Sequence, residues 1–251
     1  MRDIILQKLQ ELENAQSISI LYACESGSRA WGFASPDSDY DVRFIYARKK
    51  NDYLSIANSR DVIELPVNEV LDISGWDIRK ALQLFLKSNA PLYEWLQSPI
   101  IYKGSEIFRV ELQSLMQKYF SLRAGGNHYL SMAINTVEQE LQGNQRKLKK
   151  YFYALRPMLA CKWIIEKQEV PPMEFEILRT LITDLTVQEG IDRLLSIKIA
   201  SDEKALTESV PVIDNWISES LFFCKGQVPQ LSSEKFRTEE LDIIFRKYIQ
   251  Q

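Results

Sequence analysis

CESGSRAWGFASPDSDYDVRFIYA, residues 24–47, decides how this chain is read. Gly27-Ser28 closes an apolar run that begins at Ile18, and ten residues later Asp39 and Asp41 open a second run. Residues i and i+2 of an extended strand share a face, so Asp39 and Asp41 are expected to point the same way. Alternation sends Arg43 to that face and gives Tyr40, Val42 and Phe44 to the other. Two co-facial carboxylates suit one or two Mg²⁺ ions held against a nucleoside triphosphate. The Gly-Ser turn offers backbone N–H groups and a hydroxyl to the phosphates. Arg43 reads in two ways, as a triphosphate ligand or as a counter-charge for the acids. Taken alone, Asp-x-Asp after Pro-Asp-Ser is also what a solvated turn looks like.

Outward from this stretch, Ile5, Leu9 and Leu12 form one helical stripe over residues 3–12. Ile18 to Ala23 reads as a strand, Ser28 to Trp31 as a short helix stopped by Gly32, and Tyr40 to Ala47 as a strand. Residues 61–65 and 68–73 read as a strand pair parted by Pro66. Helices follow over 76–86, with Ile78, Ala81, Leu82 and Phe85 inward, and over 91–96. Beyond Gly104 alternation gives way to 3.6-residue periods over 106–120, 127–141, 147–166, 174–185, 191–200 and 212–223. Pro157 is expected to kink or split the third of these, and Gly125-Gly126 and Gly226 to punctuate the series. The expected class is α+β: a mixed sheet flanked by helices over 1–104, then an all-α domain over 105–251.

Composition sets limits. Of 251 residues 45% are hydrophobic and 26% charged, enough for a substantial core. A net charge of -3 supplies no global basic field, so contact with nucleic acid needs a local patch. Cys24, Cys161 and Cys224 are odd in number and widely spaced, which argues against a disulfide framework or a zinc site. Neither a leader before Arg2-Asp3 nor an apolar run of membrane length is read, so a cytoplasmic protein without membrane partners is expected.

A third acid should stand on a neighbouring strand. Asp72, within Val70-Leu71-Asp72-Ile73, is the first candidate; Asp77, at an expected helix start where a carboxylate can cap N–H groups, is the second. The strings 27–46 (GSRAWGFASPDSDYDVRFIY), 72–102 (DISGWDIRKALQLFLKSNAPLYEWLQSPIIY) and 149–164 (KKYFYALRPMLACKWI) resemble the DNA polymerase β-like nucleotidyltransferase superfamily, and within it the bacterial predicted nucleotidyltransferases of the YcgL type. The similarity runs from about residue 20 to about residue 180. It implies a mixed-sheet nucleotidyltransferase core, two Mg²⁺ ions, and transfer of a nucleoside monophosphate from an NTP, ATP first, with release of pyrophosphate. On the resemblance, Gly27 and Ser28 match the phosphate turn, Asp39 and Asp41 the metal ligands, and Asp72 the third acid. The acceptor is not specified.

Further cations extend the candidate set. Arg29 follows the turn and can reach phosphates; Lys80 and Lys87 share a helical face and read either as phosphate ligands or as solvated lysines. Arg146 to Arg156 is the concentrated basic stretch, interleaved with aromatics, and reads as a platform for RNA or nucleotide or as a helix with a basic solvent face. Within it Lys149, Tyr153 and Arg156 share a face, with Lys150 at its edge. Trp31, Trp76, His128 and Cys24 read as structural. Three functions compete: a nucleotidyltransferase acting on an acceptor such as RNA, a non-catalytic nucleotide- or RNA-binding regulator, and an antitoxin-like protein AMPylase.

Overall fold

A helix whose apolar stripe repeats at i, i+4 and i+7 must lay that stripe on something. In the computed structural model, which describes residues 1–57, 59–66, 70–234 and 236–250, that something is a sheet. α1 (Arg2–Gln16) buries Ile5, Leu9 and Leu12 against it. β1 (Ser19–Ser26) follows, then α2 (Gly27–Trp31), β2 (Tyr40–Ala47), α3 (Lys50–Tyr53), β3 (Val62–Glu64) and β4 (Leu71–Asp77). α4 (Ile78–Leu86), α5 (Ala90–Leu96), β5 (Ile101–Gly104) and α6 (Glu106–Tyr119) continue the chain. The five strands lie in the order β3-β4-β2-β1-β5, every neighbouring pair antiparallel except β2 and β4, which run parallel. Ile20, Ala23, Val42, Phe44, Tyr46, Leu71 and Ile73 form one core with the α1 stripe. Ile78, Ala81, Leu82 and Phe85 of α4 are buried, as their spacing predicts.

The second half is α7 (Leu122–Glu140), β6 (Gln145–Lys147), α8 (Leu148–Lys167), α9 (Phe175–Leu178), α10 (Leu185–Ala200), β7 (Leu206–Glu208), α11 (Pro211–Gln227) and α12 (Glu239–Tyr248). The α+β class with a mixed, helix-flanked sheet and a helical second half is what the chain adopts. No helix among the described residues is long and apolar enough to cross a membrane.

The chain divides into two compact units. One holds Met1–Gly27, Asp39–Tyr119 and Lys235–Gln251; the other holds Ser28–Ser38 and Phe120–Glu234. The sheet-bearing unit thus extends beyond the limit read at Gly104. α6 and α12 belong to it because their buried faces meet: Phe108 packs edge-on to Tyr248 at 4.8 Å, and Tyr248 donates to Glu111 at 2.9 Å. The other unit is centred on α7, α8 and α11, and the short antiparallel pair β6–β7 means that it is not purely α. Within that unit Phe33 inserts beside Phe152 and Phe175, at centroid distances of 5.1 and 5.5 Å.

Several boundaries differ from those read in the sequence. β4 runs to Asp77, because it pairs with β2 as far as Tyr46, and α4 therefore starts two residues after the expected Trp76. Residues 68 and 69 of the expected strand lie outside the described residues. Gly125 and Gly126 sit inside α7, where side-chain room is lacking: a Cβ on Gly125 would collide with the Phe120 ring. Gly226 likewise lies within α11. Pro157 does not split α8. The expected helix over 174–185 is only α9 and a 3₁₀ turn, since Asp184 accepts from the Thr186 N–H at 2.8 Å and caps α10.

Gly75 is the tightest point of the β2–β4 pair, for a Cβ there would fall inside the ring of its register partner Phe44. Gly75→Ala is expected to destabilise the fold by about 1–3 kcal/mol. A thermal melt indistinguishable from wild type would show that the ring is not confined as described.

Candidate active site

The parallel register sets Asp41 directly opposite Asp72, and Arg43 opposite Ser74. Partners in register share a face, so both carboxylates and the guanidinium lie on the side of the sheet away from the α1 core. Arg43 Nη2 donates to Asp41 Oδ1 at 3.1 Å and to Asp72 Oδ2 at 2.7 Å. Nη1 donates to the carbonyls of Val42 and Asp72 at 3.1 and 3.2 Å. The side chains of Asp41, Asp72 and Arg43 are 31%, 33% and 18% exposed, so the group is fixed from below and open to solvent. Of the two readings of Arg43, the counter-charge is the one these distances display.

Asp41 is held from two further directions. Its backbone N–H donates to Glu25 Oε1 at 2.7 Å. Glu25 is fully buried in β1 and also accepts the Tyr102 hydroxyl, while Ser98 Oγ donates to its carbonyl at 2.6 Å. Burial, and then the bond to Glu25, push the Tyr102 hydroxyl far above its ordinary pKa. Tyr102 therefore remains a donor. Gly27 provides the second constraint: its φ is +62°, and a Cβ would overlap Asp41 Oδ2. The turn residue is glycine because a carboxylate passes where a side chain would stand.

Asp39 is exposed and lies immediately before β2 rather than within it. Among the described residues no three His, Cys, Asp or Glu side chains gather as a metal-binding group. The expected trio is thus seen as a pair, Asp41 and Asp72, with Asp39 at the strand's entrance. Asp77 takes a different place. Five residues beyond Asp72 on the strand, it falls on the opposite face, accepts from the Arg79 N–H at 2.8 Å as the cap of α4, and receives the Tyr53 hydroxyl at 2.9 Å. It stands about 17 Å from Asp72 along the strand. Lys80 lies at that same end, paired with Asp61 at 3.1 Å, and is not brought together with Asp41 and Asp72.

Ser28, Arg29 and the basic stretch belong to the helical unit. Arg29 donates twice to the Ser38 carbonyl, at 3.2 and 2.6 Å. Lys149 pairs with Glu203 at 2.9 Å, Lys150 with Glu140 at 2.7 Å, and Arg146 with Asp214 at 2.6 Å. Tyr153 meets Trp31 edge-on at 5.8 Å. Arg156 does not face an open cleft: it is 2% exposed, lies under the Trp31 ring at 4.5 Å and donates to the Met173 carbonyl at 3.2 and 3.0 Å. Trp76 stacks on Trp95 at 3.9 Å and Cys24 is buried in β1, as structural residues should be.

A family model described as RlaP, the RNA repair pathway DNA polymerase beta family, matches residues 1–247. The chain belongs to this family. It is 44% identical over 236 residues to the uncharacterized protein YcgL of Bacillus subtilis strain 168, covering 94% of this chain and 91% of YcgL. A nucleotidyltransferase-like protein of known structure from Exiguobacterium sibiricum aligns over 90% of this chain and 75% of its own, at 10% identity and a TM-score of 0.33. The resemblance carried by residues 27–46, 72–102 and 149–164 is borne out at the level of the family. A polymerase β-like protein of nucleotidyltransferase type is the reading that the family supports.

The sequence reading passed over Glu25. Its signal was present, an acid between Cys24 and Ser26 in an otherwise apolar strand, and such an acid has to find donors in the core. Two expected outcomes follow. Gly27→Ala should displace the Asp41 carboxylate, and loss of Asp41 contacts in a crystal structure of that variant would show it. Asp77→Asn should keep whatever activity Asp72→Asn abolishes. Burial raises the Asp77 carboxyl above its ordinary range, so its ionisation opposes folding, and stability falls as pH rises from the unfolded value through the raised one. Chemical denaturation over a pH series rising from the ordinary carboxylate range should show that decline flattened in Asp77→Asn.

Proposed function

We propose that the Asp41–Asp72 face is the active site of a nucleotidyltransferase that moves a nucleoside monophosphate from an NTP to an acceptor hydroxyl. The observation that carries the reading is the register pairing of Asp41 with Asp72, both turned to one cation. Their donor set, carboxylate oxygens already sharing a positive charge, suits a hard divalent ion. Asp39, Asp41 and Asp72 are the residues that would hold Mg²⁺, whose charge would offset that of the triphosphate when bound.

The chain's own groups have definable tasks. The acceptor oxygen bonds to the α-phosphorus as the bond from that phosphorus to the bridging oxygen breaks, and pyrophosphate leaves with the electron pair. Asp72, the acid on the neighbouring strand, accepts or orients the hydroxyl proton. Arg43 supplies positive charge beside the two acids and is placed to exchange a carboxylate for a phosphate oxygen. Gly27 leaves the space in which Asp41 turns toward substrate. Lys149, Lys150 and Arg156 have carboxylate or carbonyl partners of their own and are not assigned to substrate. ATP is the first donor to test and an RNA end the first acceptor, in keeping with the description of the family as an RNA repair pathway family.

The Arg43 bridge also favours a second reading, a nucleotide-binding regulator in which the guanidinium permanently takes the place of a metal. Incubation with each labelled NTP, Mg²⁺, total RNA and cell lysate separates the two. Label in RNA is expected from wild type and should fall by at least about a hundredfold in Asp41→Asn and Asp72→Asn. Label in a protein band would point instead to protein AMPylation. Nucleotide binding without transfer, equal in wild type and both variants, would overturn the enzymatic reading.

A further inference from the structure

The C-terminal ends of β2 and β4 meet a cavity of about 350 Å³ that the reaction above does not use. Arg48, Tyr53, Asp61, Asp77, Arg79 and Lys80 are among the residues lining it. They come from the residue just after β2, the end of α3, the approach to β3, the end of β4 and the first turn of α4. Since the two strands are parallel, this cavity and the Asp41–Asp72 face occupy opposite ends of one strand pair, about 17 Å apart along β4. A volume of this size admits a small ligand.

The charges of the cavity are unevenly engaged. Asp61 is occupied by Lys80 at 3.1 Å. Asp77 gives one oxygen to the Arg79 N–H and the other to the Tyr53 hydroxyl. Arg48 and Arg79 lie near enough to Asp77 to favour its ionised form, yet among the described residues neither guanidinium has a carboxylate within ion-pairing distance. Asp52, the remaining acid of the lining, is exposed in α3.

Arg79 is pinned by the rings of Tyr53 and Phe245 at 5.1 and 5.2 Å, and Arg48 lies over the Tyr46 ring at 5.4 Å. Arg48 Nη2 donates to the Arg60 carbonyl at 3.3 Å, and among the described residues Arg48 Nε is buried with no hydrogen-bond partner. Two guanidinium groups thus line the cavity without an ion-paired carboxylate among the described residues, and an oxyanion is the acceptor that such groups match best.

We propose that this cavity is an oxyanion site for a phosphate-bearing small ligand, distinct from the Asp41–Asp72 face. The three aromatic rings nearest the cations, Tyr46, Tyr53 and Phe245, are already covered by guanidinium groups, so recognition is through the phosphate, and no stacking of a base is invoked. The same chemistry is offered by free phosphate and by the phosphomonoester of a mononucleotide.

The test titrates inorganic phosphate and, separately, AMP into uniformly ¹⁵N-labelled protein. The Arg48 Nε–H resonance, assigned by its loss in Arg48→Lys, is followed. A saturable shift with either probe, preserved in Asp41→Asn/Asp72→Asn and weakened at least about tenfold in Arg79→Gln, is the expected result. Tighter binding of AMP identifies the phosphomonoester as the source, and tighter binding of phosphate identifies the free ion. An unchanged Arg48 resonance at millimolar concentrations of both probes overturns the proposal, as does a shift that disappears in the Asp41/Asp72 variant. The resonance is read on the wild-type chain, so the outcome does not depend on how well Arg79→Gln folds. Failure here leaves the transferase reading untouched, because that reading stands on label transfer.

Discussion

The parallel pairing of β2 with β4 is the constraint from which the candidate site follows. Only a parallel register puts residue 41 beside residue 72 while leaving Val42 beside Ile73 in the core. Adjacent strands stand about 4.8 Å apart, a separation at which two carboxylates repel unless a cation is supplied. Arg43, two residues along the same face, supplies it. The three side chains are roughly a fifth to a third exposed, so solvent screens the bridge and its contribution to fold stability is small. Its significance is chemical. The fold holds two acids side by side and sets one guanidinium against both.

Much of this was legible in the sequence. Alternation placed Asp41 and Arg43 on one face and Val42 and Phe44 on the other; the α1 stripe and the inward face of α4 were equally plain. These are local periodicities, and a residue's neighbours at i+2 or i+4 are fixed by geometry alone. What escaped depends on partners far along the chain. β4 extends to Asp77 because β2 offers it a partner that far, which carries the α4 lysine to the opposite end of the sheet. The glycines at 125 and 126 read as a break, yet they serve close packing against Phe120, Val228 and Leu231. Glu25 stands out locally as an acid in an apolar strand, but its part in the site is set by donors from two other strands, Tyr102 and the Asp41 N–H.

The basic stretch illustrates the same limit from the side of charge. Arg146, Lys149 and Lys150 crowd together in sequence and suggest an open cationic surface. In the fold Asp214, Glu203 and Glu140 each take one of them, two of those partners coming from more than fifty residues away. A run of like charge shows how much positive potential a segment carries, whereas the acids that meet it are set by tertiary structure. Arg156 goes further: it is drawn wholly inside, where a carbonyl and the face of an indole replace water.

The division of the chain also bears on how the protein is made. The sheet-bearing unit includes α12, whose Tyr248 packs against α6 and whose Phe245 meets Tyr53 edge-on at 5.2 Å. Synthesis runs from the N-terminus, so the ribosome has produced all of the helical unit before the last segment of the first unit exists. The first unit is therefore completed last. During translation the faces of Phe108 and Tyr53 that α12 covers stay uncovered, an interval in which binding by a chaperone would protect the nascent chain.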